Sequence, residues 1–427
     1  MRGMTGQYWV ETLGCPKNQV DSDKLEGTLI ADGLHRAARP GDADVVVVNT
    51  CAFIESARQE SVETVLALSD VKKTGARLVV TGCMAERYGS ELADAMPEAD
   101  LVAGFGVPVS LGRKARPGHV PHLDLLNLPR PKSAAPWAYV KVAEGCDRTC
   151  GFCAIPSFRG PQRSRTPESI LGEVEALEAR EIVLVAQDLA SYGKDRGDLG
   201  AGSIVPLVEA VAARVPRVRL LYLYPSDLSD RLVDAIDATG VHYFDLSLQH
   251  VSKVHLRRMR RWGDGDRFLR RIDDIRRAMP DAAFRSNFIV GYPGETESDH
   301  DELLAFVEAA QLDWCGFFSY SREDGTFAAD LPDQIPAGLV AERLAELSAL
   351  QDSITFARRA ALVGTTATVL VEAPGVGRSH REAPEIDGII GVPADLAPGS
   401  FVEVSITGAA GPDLEATPVL TALTAAG

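Results

Sequence analysis

Three cysteines that lie close together in the chain could have a chemical role, because of their thiol groups and their spacing. Cys146, Cys150 and Cys153 follow one another with C-x3-C-x2-C spacing. Three thiolates on one short loop can hold a soft metal. A structural zinc site usually takes four ligands, whereas three cysteines suit a four-iron cluster with one iron left open. The alternatives are a zinc knuckle that borrows a distant ligand, or cysteines with no joint role.

A second set of three cysteines is dispersed through the first hundred residues. Cys15, Cys51 and Cys83 lie 36 and 32 residues apart, each directly after an apolar, strand-like run. If those strands are parallel, their carboxyl ends share one edge of the sheet, where ligands bind. Buried core cysteines are the alternative reading of each one alone, but the same position on three strands favours a joint site.

Residues 1–116, which contain the second set of cysteines, are predicted to form an α/β domain that positions these cysteines. Strand-like and helical runs alternate there, which predicts a Rossmann-like parallel sheet. The predicted strands are 8–13, 45–48 and 78–80, and the predicted helices are 22–31 and 55–68. Residues 117–136 contain five prolines and are predicted to be an extended linker.

Residues 137–361 contain six strand-like runs, mostly followed by helical patterns, and end in one long helical stretch from 337. Six such units predict a partial, TIM-like (βα)6 barrel, with loop 146–153 directly after its first strand. Residues 362–427 are rich in Val, Thr, Gly and Pro, with short strand runs. They predict a small, OB-like antiparallel β-barrel.

The overall composition limits the class of protein. Among 427 residues, 44 are Lys or Arg and 60 are Asp or Glu, which gives a net charge of −16. This charge argues against a general nucleic-acid coat protein, although a local basic patch is compatible with it. No apolar run approaches the roughly 18 residues of a spanning helix, and no secretory signal is visible. An odd number of cysteines does not suggest a disulfide framework, so a cytoplasmic location is predicted.

The loop 146–153 resembles the cluster-binding loop of the radical S-adenosylmethionine (SAM) superfamily. The resemblance implies that SAM chelates the open iron of a four-iron cluster through its amino and carboxylate groups. One electron then cleaves SAM and gives a 5′-deoxyadenosyl radical. An unactivated C–H bond has no usable acidity for a side-chain base, whereas a cofactor-held radical can remove its hydrogen.

The segments 14–22, 49–54 and 81–83 look like the N-terminal domain of the methylthiotransferases within that superfamily. This resemblance covers essentially all three regions, and the last region resembles the TRAM domain. It implies a second four-iron cluster on Cys15, Cys51 and Cys83, where one SAM donates a methyl group to sulfur. Another SAM is cleaved at the first-described cluster.

Two branches of the methylthiotransferases differ in substrate. One modifies an adenosine of transfer RNA, and the other modifies the β-carbon of an aspartate in ribosomal protein uS12. Residues 15–18, 143–148, 154–156, 159–165 and 383–388 look like the second branch. A different class of protein, a two-cluster electron carrier, would need clusters with every iron bound by protein, which sets of three cysteines do not provide.

Charge in the last region supports the protein substrate. Residues 362–427 hold two arginines against eight acidic residues, a net charge of −6. A negative surface repels RNA phosphates and attracts a basic ribosomal protein. The alternative is that these acidic residues form a solvated surface with no role in substrate binding. The predicted partners are uS12, free or within the small ribosomal subunit, and an electron donor such as flavodoxin or ferredoxin. No membrane contact is expected, and direct RNA binding is the less favoured alternative.

Five residues near the ends of predicted barrel strands or in the cysteine loop are candidates for contact with SAM: Phe152, Gln187, Ser247, Gln249 and Gly291. Loop structure is the alternative for each of them. The family pattern usually has Pro at the position of Ser247 and Ser or Asn at that of Gly151, and segment 285–287 also departs from it.

Other prominent residues are predicted to be structural. Cys315 is read as a core cysteine, and His250 as a hydrogen-bonded loop histidine rather than a base. The arginines at 257, 258, 260 and 261 are read as a solvated helix face, with docking on the ribosome as the alternative.

Overall fold

The computed structural model describes residues 6–109, 124–197 and 204–419. The predicted linker lies outside the described residues up to position 123. Its described part, 124–136, contains one turn of 3-10 helix, Leu125–Asn127, and no strand. The chain around it forms an α/β domain, a partial barrel and a small closed β-barrel.

The first domain is a parallel sheet with strand order β2-β1-β3-β4-β5. Its strands are β1 (Gln7–Thr12), β2 (His35–Arg36), β3 (Val45–Thr50), β4 (Arg77–Gly82) and β5 (Leu101–Ala103). Its helices are α1 (Pro16–Ala31), α2 (Glu55–Val71) and α3 (Cys83–Ala95). Every residue of β3 is buried, as its run of four valines predicts.

Helix α1 is longer than the predicted helix 22–31, because it begins at Pro16. Proline is favoured in the first helical turn, where its missing N–H costs nothing. The buried residues of this first part include Lys17, Asn18 and Asp21, which are polar. A buried polar face has no apolar periodicity, so the sequence pattern could not locate the true start.

The middle domain contains the six predicted strands and the long helix. Its strands are β6 (Trp137–Lys141), β7 (Ala143–Glu144), β8 (Arg163–Ser164), β9 (Glu181–Val185), β10 (Arg217–Leu220), β11 (Tyr243–Gln249), β12 (Ala283–Val290) and β13 (Trp314–Ser319). Its helices are α4 (Ile155–Arg159), α5 (Pro167–Leu177), α6 (Ile204–Ala212), α7 (Asp230–Ala238), α8 (Lys253–Arg258), α9 (Gly265–Ala278), α10 (Glu297–Ala310) and α11 (Ala337–Ala360).

The barrel strands follow their chain order around an open, parallel barrel. β6, β9 and β10 form one hydrogen-bonded group, and β11, β12 and β13 form another. The two groups join after β10, where Leu223 donates to the Asp245 carbonyl at 2.9 Å and accepts from the Ser247 amide at 3.0 Å. The small β7–β8 hairpin lies between the first two barrel strands and frames the loop 146–153.

The last domain is a closed barrel of five strands. They are β14 (Thr366–Ala373), β15 (Val376–Arg378), β16 (Ile390–Gly391), β17 (Phe401–Ala410) and β18 (Asp413–Pro418). Its pairings are antiparallel as predicted, except for the parallel pair β16–β18. Val369, Ile390, Val404 and Leu414 fill its core.

Segment 378–387, between β15 and β16, packs into the interior of the partial barrel. Tyr139 donates its hydroxyl hydrogen to the Pro384 carbonyl at 2.9 Å, and Trp314 donates its indole hydrogen to the Arg381 carbonyl at 2.7 Å. Ala383 shares an apolar cluster with barrel residues and with Val20 of α1. The first and last domains therefore both complete the core of the middle one.

Candidate functional site

Loop 146–153 is held by backbone hydrogen bonds to three separate parts of the barrel. The Cys146 amide donates to the Gly160 carbonyl at 3.1 Å, and the Gly151 amide donates to the Met259 carbonyl at 2.9 Å. The Gly151 carbonyl accepts from the Ala328 amide at 2.8 Å. Such anchoring fixes the loop without using its thiols, which leaves them available as ligands.

The three thiols of this loop are half-buried. Burial raises the pKa of Cys146 to about 11 and that of Cys153 to about 12. Their thiolate forms therefore need stabilisation from outside, such as that of a bound metal. Two donors already point at sulfur, since the Arg148 amide lies 3.4 Å from Cys146 Sγ and Arg261 Nη1 lies 3.4 Å from Cys150 Sγ.

Arg148, inside the cysteine loop, ties the loop to the ends of the next two barrel strands. Its Nε donates to Asp188 Oδ2 at 2.6 Å, and its Nη2 donates to Asp227. Its guanidinium lies 3.8 Å from the centre of the Tyr224 ring, which Arg261 also contacts at 4.1 Å. The charged and stacked contacts together orient the loop over the carboxyl ends of the strands.

The structure brings the three dispersed cysteines to one edge of the first sheet. Cys15 is the N-cap residue of α1, Cys51 directly follows β3, and Cys83 is the first residue of α3. Two of the thiols thus lie at helix N-termini, where the helix dipole favours the thiolate. A Cβ added at Gly14 would lie 2.9 Å from Cys51 Sγ, so the Cys15 turn approaches Cys51 closely.

Asn18 connects the loops that carry these cysteines. Its amide nitrogen donates to the Leu13 carbonyl at 2.8 Å and to the Thr50 carbonyl at 3.2 Å. Its amide oxygen accepts from Cys83 Sγ at 3.5 Å. One fully buried side chain therefore contacts the segments before Cys51 and Cys15 and the third cysteine directly.

Burial and nearby charges affect the pKa of each thiol at this site differently. Burial raises the pKa of Cys51 to about 12 and also raises that of Cys83. Burial acts in the same direction on Cys15, but Lys17, Arg159 and hydrogen bonds from the Asn18 and Lys17 amides together outweigh it and lower the pKa of that thiol. Arg159 comes from the middle domain and donates to Cys83 Sγ at 3.1 Å. Cations from two domains thus favour anionic sulfur here.

The donor groups at both sites are those that hold iron–sulfur clusters. Each site offers three thiols, and the backbone beside the dispersed set is closely packed, because a Cβ at Gly82 would lie 2.2 Å from Asn49 Oδ1. That oxygen is buried and has no hydrogen-bond partner. Within the described residues, no group of three or more His, Cys, Asp and Glu side chains is arranged to hold a metal ion.

The polar candidates for SAM contact lie where the barrel strands end. Gln187 donates to Glu144 Oε1 at 3.0 Å, while its own buried amide oxygen has no partner. Gln249 ends β11 with a φ of 72°, just after a register shift in that strand. Ser247 is half-buried, and its carbonyl accepts from Arg261. Strained backbone and an unpaired buried oxygen are common at binding sites.

Phe152 and Gly291 have clear packing roles. Phe152 packs against the cluster that contains Met259 and Tyr292. Gly291 has a φ of 80°, and a Cβ there would lie 2.4 Å from Val340 Cγ2 of α11. The turn and the helix contact explain the glycine, so its contact with SAM, like that of Phe152, stays a prediction.

Two residues predicted to be structural have local partners in the structure. Cys315 lies in β13 and packs against the main core of the barrel. His250 is fully buried, and its Nδ1 accepts from the Ser252 amide at 3.0 Å. Burial lowers the pKa of His250 to about 3, so its ring is neutral at neutral pH.

Sequence reasoning missed the arginines that reach sulfur. The predicted solvated face is correct for Arg257, Arg258 and Arg260, which are exposed, but wrong for Arg261. Helix α8 ends at Arg258, so Arg261 no longer shares a helix face with the others and instead turns toward Cys150. Arg159 belongs to the motif 159–165, but that motif does not indicate its sulfur partner, which lies 76 positions away in the chain.

Part of the acidic charge counted in the last domain is not at its surface. Glu382 is fully buried and pairs with Arg359, and Asp387 accepts from the Tyr243 hydroxyl at 2.6 Å. These carboxylates are neutralised within the interface between the last two domains. The acidic residues that remain exposed in the described part of this domain are Glu385, Asp395, Glu403 and Glu415.

Comparison with known proteins places each region in a family. Residues 7–104 match Uncharacterized protein family UPF0004, residues 140–307 the Radical SAM superfamily and residues 363–419 the TRAM domain. The ribosomal protein uS12 methylthiotransferase RimO of Streptomyces coelicolor is 42% identical over 96% of this chain and 96% of its own. That of Moorella thermoacetica is 43% identical, over 93% and 96% respectively. The chain belongs to the ribosomal protein uS12 methylthiotransferase family.

This methylthiotransferase is therefore a radical SAM enzyme, as its motifs predicted. The family works with SAM and four-iron clusters, which confirms the predicted cofactors. Among solved structures, the cobalamin-dependent S-adenosylmethionine radical enzyme OxsB aligns over 82% of this chain and 56% of its own, at 11% identity and a TM-score of 0.43. None of the described helices combines the length and the apolar character needed to cross a membrane.

Proposed function

We propose that this methylthiotransferase adds a methylthio group to the β-carbon of an aspartate in ribosomal protein uS12. The observation that carries the proposal is a contact across the boundary between two domains: Arg159, which ends the helix after the loop cysteines, donates to Cys83 Sγ of the dispersed set. The substrate named for the curated relatives and the motifs shared with that branch support the choice of uS12.

The loop cysteines Cys146, Cys150 and Cys153 would hold the cluster that binds SAM. When bound, this group supplies the electron that cleaves SAM to a carbon radical able to remove hydrogen from an unactivated C–H bond. Arg148 and Arg261 keep the loop in place, and the unpaired oxygen of Gln187 is available to a ligand above the strand ends.

The dispersed cysteines Cys15, Cys51 and Cys83 would hold the second cluster, where the sulfur to be transferred is carried and methylated. Cys51 and Cys83 are buried, Cys15 is half-buried, and the cations beside them stabilise anionic sulfur. Asn18 fixes the relation between their loops. A separate sulfur site beside the radical site lets the two uses of SAM proceed in one molecule.

The outer face of the last barrel favours a basic protein over RNA. Thr368 of β14 pairs with Glu403 of β17, and both side chains are exposed. Arg378 is buried and Arg381 is half-buried, so the described surface of this domain shows acidic and hydroxyl groups rather than cations. Phosphates would be repelled by such a surface. A cytoplasmic location and a flavodoxin- or ferredoxin-like electron donor complete the proposal.

The test is a reaction of the anaerobically reconstituted enzyme with SAM, sulfide and a reductant, with uS12 and transfer RNA side by side. Mass analysis should find a methylthio group in place of one hydrogen on the uS12 aspartate, with unmodified adenosine. Methylthioadenosine with an unmodified aspartate would overturn the substrate but leave the radical chemistry intact. Full iron with no cleavage of SAM would favour the two-cluster electron carrier.

A further inference from the structure

A single short helix connects the two cysteine sites. Helix α4 begins two residues after Cys153 and ends at Arg159, whose side chain crosses into the first domain. There Nη2 donates to Cys83 Sγ at 3.1 Å and to Asn18 Oδ1 at 2.7 Å. Its guanidinium also lies 4.5 Å from the centre of the Phe105 ring. The loop of one site therefore leads directly to a ligand atom of the other.

Carboxylates from both domains hold Arg159 in this position. Its Nη1 donates to Glu144 Oε1 of the middle domain at 2.8 Å and lies 3.4 Å from Asp21 Oδ2 of α1. Lys141 also pairs with Asp21 and Glu144. The Arg159 side chain is 3% exposed, so its charge acts in a region that water hardly screens.

Arg159 places a cation within hydrogen-bond distance of one of the proposed ligand sulfurs, since its Nη2 lies 3.1 Å from Cys83 Sγ. Asp21 Oδ2 lies 3.4 Å from the same guanidinium and carries the opposite charge. A cation and a hydrogen bond at a ligand sulfur stabilise the added negative charge of a reduced cluster, and so raise its reduction potential.

We propose that Arg159 is a positioning residue through which the radical SAM domain sets the reduction potential of the cluster on Cys15, Cys51 and Cys83. The proposal rests on the assignment of a cluster to those cysteines made above. It makes the potential at the sulfur-carrying site depend on the docking of the neighbouring domain. Asp21 limits the effect by partly neutralising the guanidinium.

The experiment uses the full chain with Cys146, Cys150 and Cys153 replaced by Ala, so that one cluster remains. An iron count near four per chain comes first, because it tests the cluster assignment itself. A redox titration followed by electron paramagnetic resonance then gives the midpoint potential. Arg159→Gln should move this potential downward, Arg159→Lys should fall between that variant and the parent, and Asp21→Asn should move it upward.

Arg58→Gln is the matched control. Arg58 also joins the first and middle domains, through Glu323 Oε2 at 2.6 Å, but it contacts no cysteine. A purely mechanical role would make Arg58→Gln and Arg159→Gln shift the potential equally, and that result would overturn the proposal.

Three outcomes keep the two proposals separable. A parent without iron would refute the cluster assignment rather than the role of Arg159. Four irons with an unchanged potential in Arg159→Gln would refute the role of Arg159 alone. If the Arg159→Gln variant does not retain its cluster, the Asp21→Asn variant provides the test. The absence of an upward shift of its midpoint potential also overturns the proposal.

Discussion

The two cysteine sites are built in different ways from the same kind of ligand. Loop 146–153 is local in sequence and is held by backbone hydrogen bonds and by Arg148. The dispersed site gathers one cysteine from each of three strand ends and depends on the sheet, on Asn18 and on a neighbouring domain. The comparison indicates that the loop site keeps its geometry after local changes that would disrupt the geometry of the dispersed site.

The largest expected effect comes from removing the loop site. Replacing Cys146, Cys150 and Cys153 with Ala should abolish SAM cleavage, because the open iron is lost, and should lower the iron content from about eight to about four per chain. Iron analysis and chromatography of 5′-deoxyadenosine measure both. Full iron in this variant would remove the basis for distinguishing the two sites.

The reciprocal variant, with Cys15, Cys51 and Cys83 replaced by Ala, should separate the two chemistries. SAM cleavage should persist, because the loop site is anchored independently, while no methylthio product should form. Product mass and 5′-deoxyadenosine are measured in the same reaction. A folded variant that holds four irons yet cleaves no SAM would contradict the independence of the sites.

Adding one methyl group at each site should sharpen the comparison. Gly82→Ala places a Cβ 2.2 Å from Asn49 Oδ1 at a φ of +90°, which should cost about 3 kcal/mol or more and displace the dispersed site. Gly151→Ala meets its nearest atom, the Arg258 carbonyl oxygen, at 3.0 Å and should cost about 1 kcal/mol. Thermal unfolding and iron retention should rank the variants in that order, and equal losses would show that the sites are alike.

The smallest expected effect concerns the arginine at the loop site. Arg261→Ala removes the donors to Cys150 Sγ and to the Ser247 carbonyl, which should slow SAM cleavage about tenfold, equivalent to roughly 1.4 kcal/mol. Arg257→Ala is the control, because Arg257 is exposed. Equal rates in both variants would mean that backbone anchoring alone positions the loop.

The sequence was sufficient to predict most of the fold. The apolar runs located all six main barrel strands, and the valines at 45–48 located a fully buried strand. The sequence pattern does not predict helix α3 or the strands β2 and β5 of the first domain. Gly89, with a φ of 49°, interrupts the helix, and the two strands are only two and three residues long, so none of the three has a clear periodic pattern.

The cysteines of the candidate site could be found from spacing, but their surroundings could not. Arg159, Asn18 and Asp21 meet only because two domains pack together, which no local pattern records. The packing around Gly151 explains why this residue departs from the family pattern. A Cβ added at Gly151 would lie within 3.3 Å of side-chain atoms of both Phe327 and Tyr292. Sequence periodicity does not indicate contacts between polar side chains that lie far apart in the chain.

Segment 378–387 has a consequence for how the chain is made. Ala383 and Val20 share one apolar cluster inside the partial barrel, although hundreds of residues separate them. During translation, all strands of the middle domain are added to the chain before Ala383, because the last of them, β13, ends at Ser319. The interior of this domain must therefore wait, incompletely packed, until the last domain emerges, so maturation of the enzyme follows release of almost the whole polypeptide.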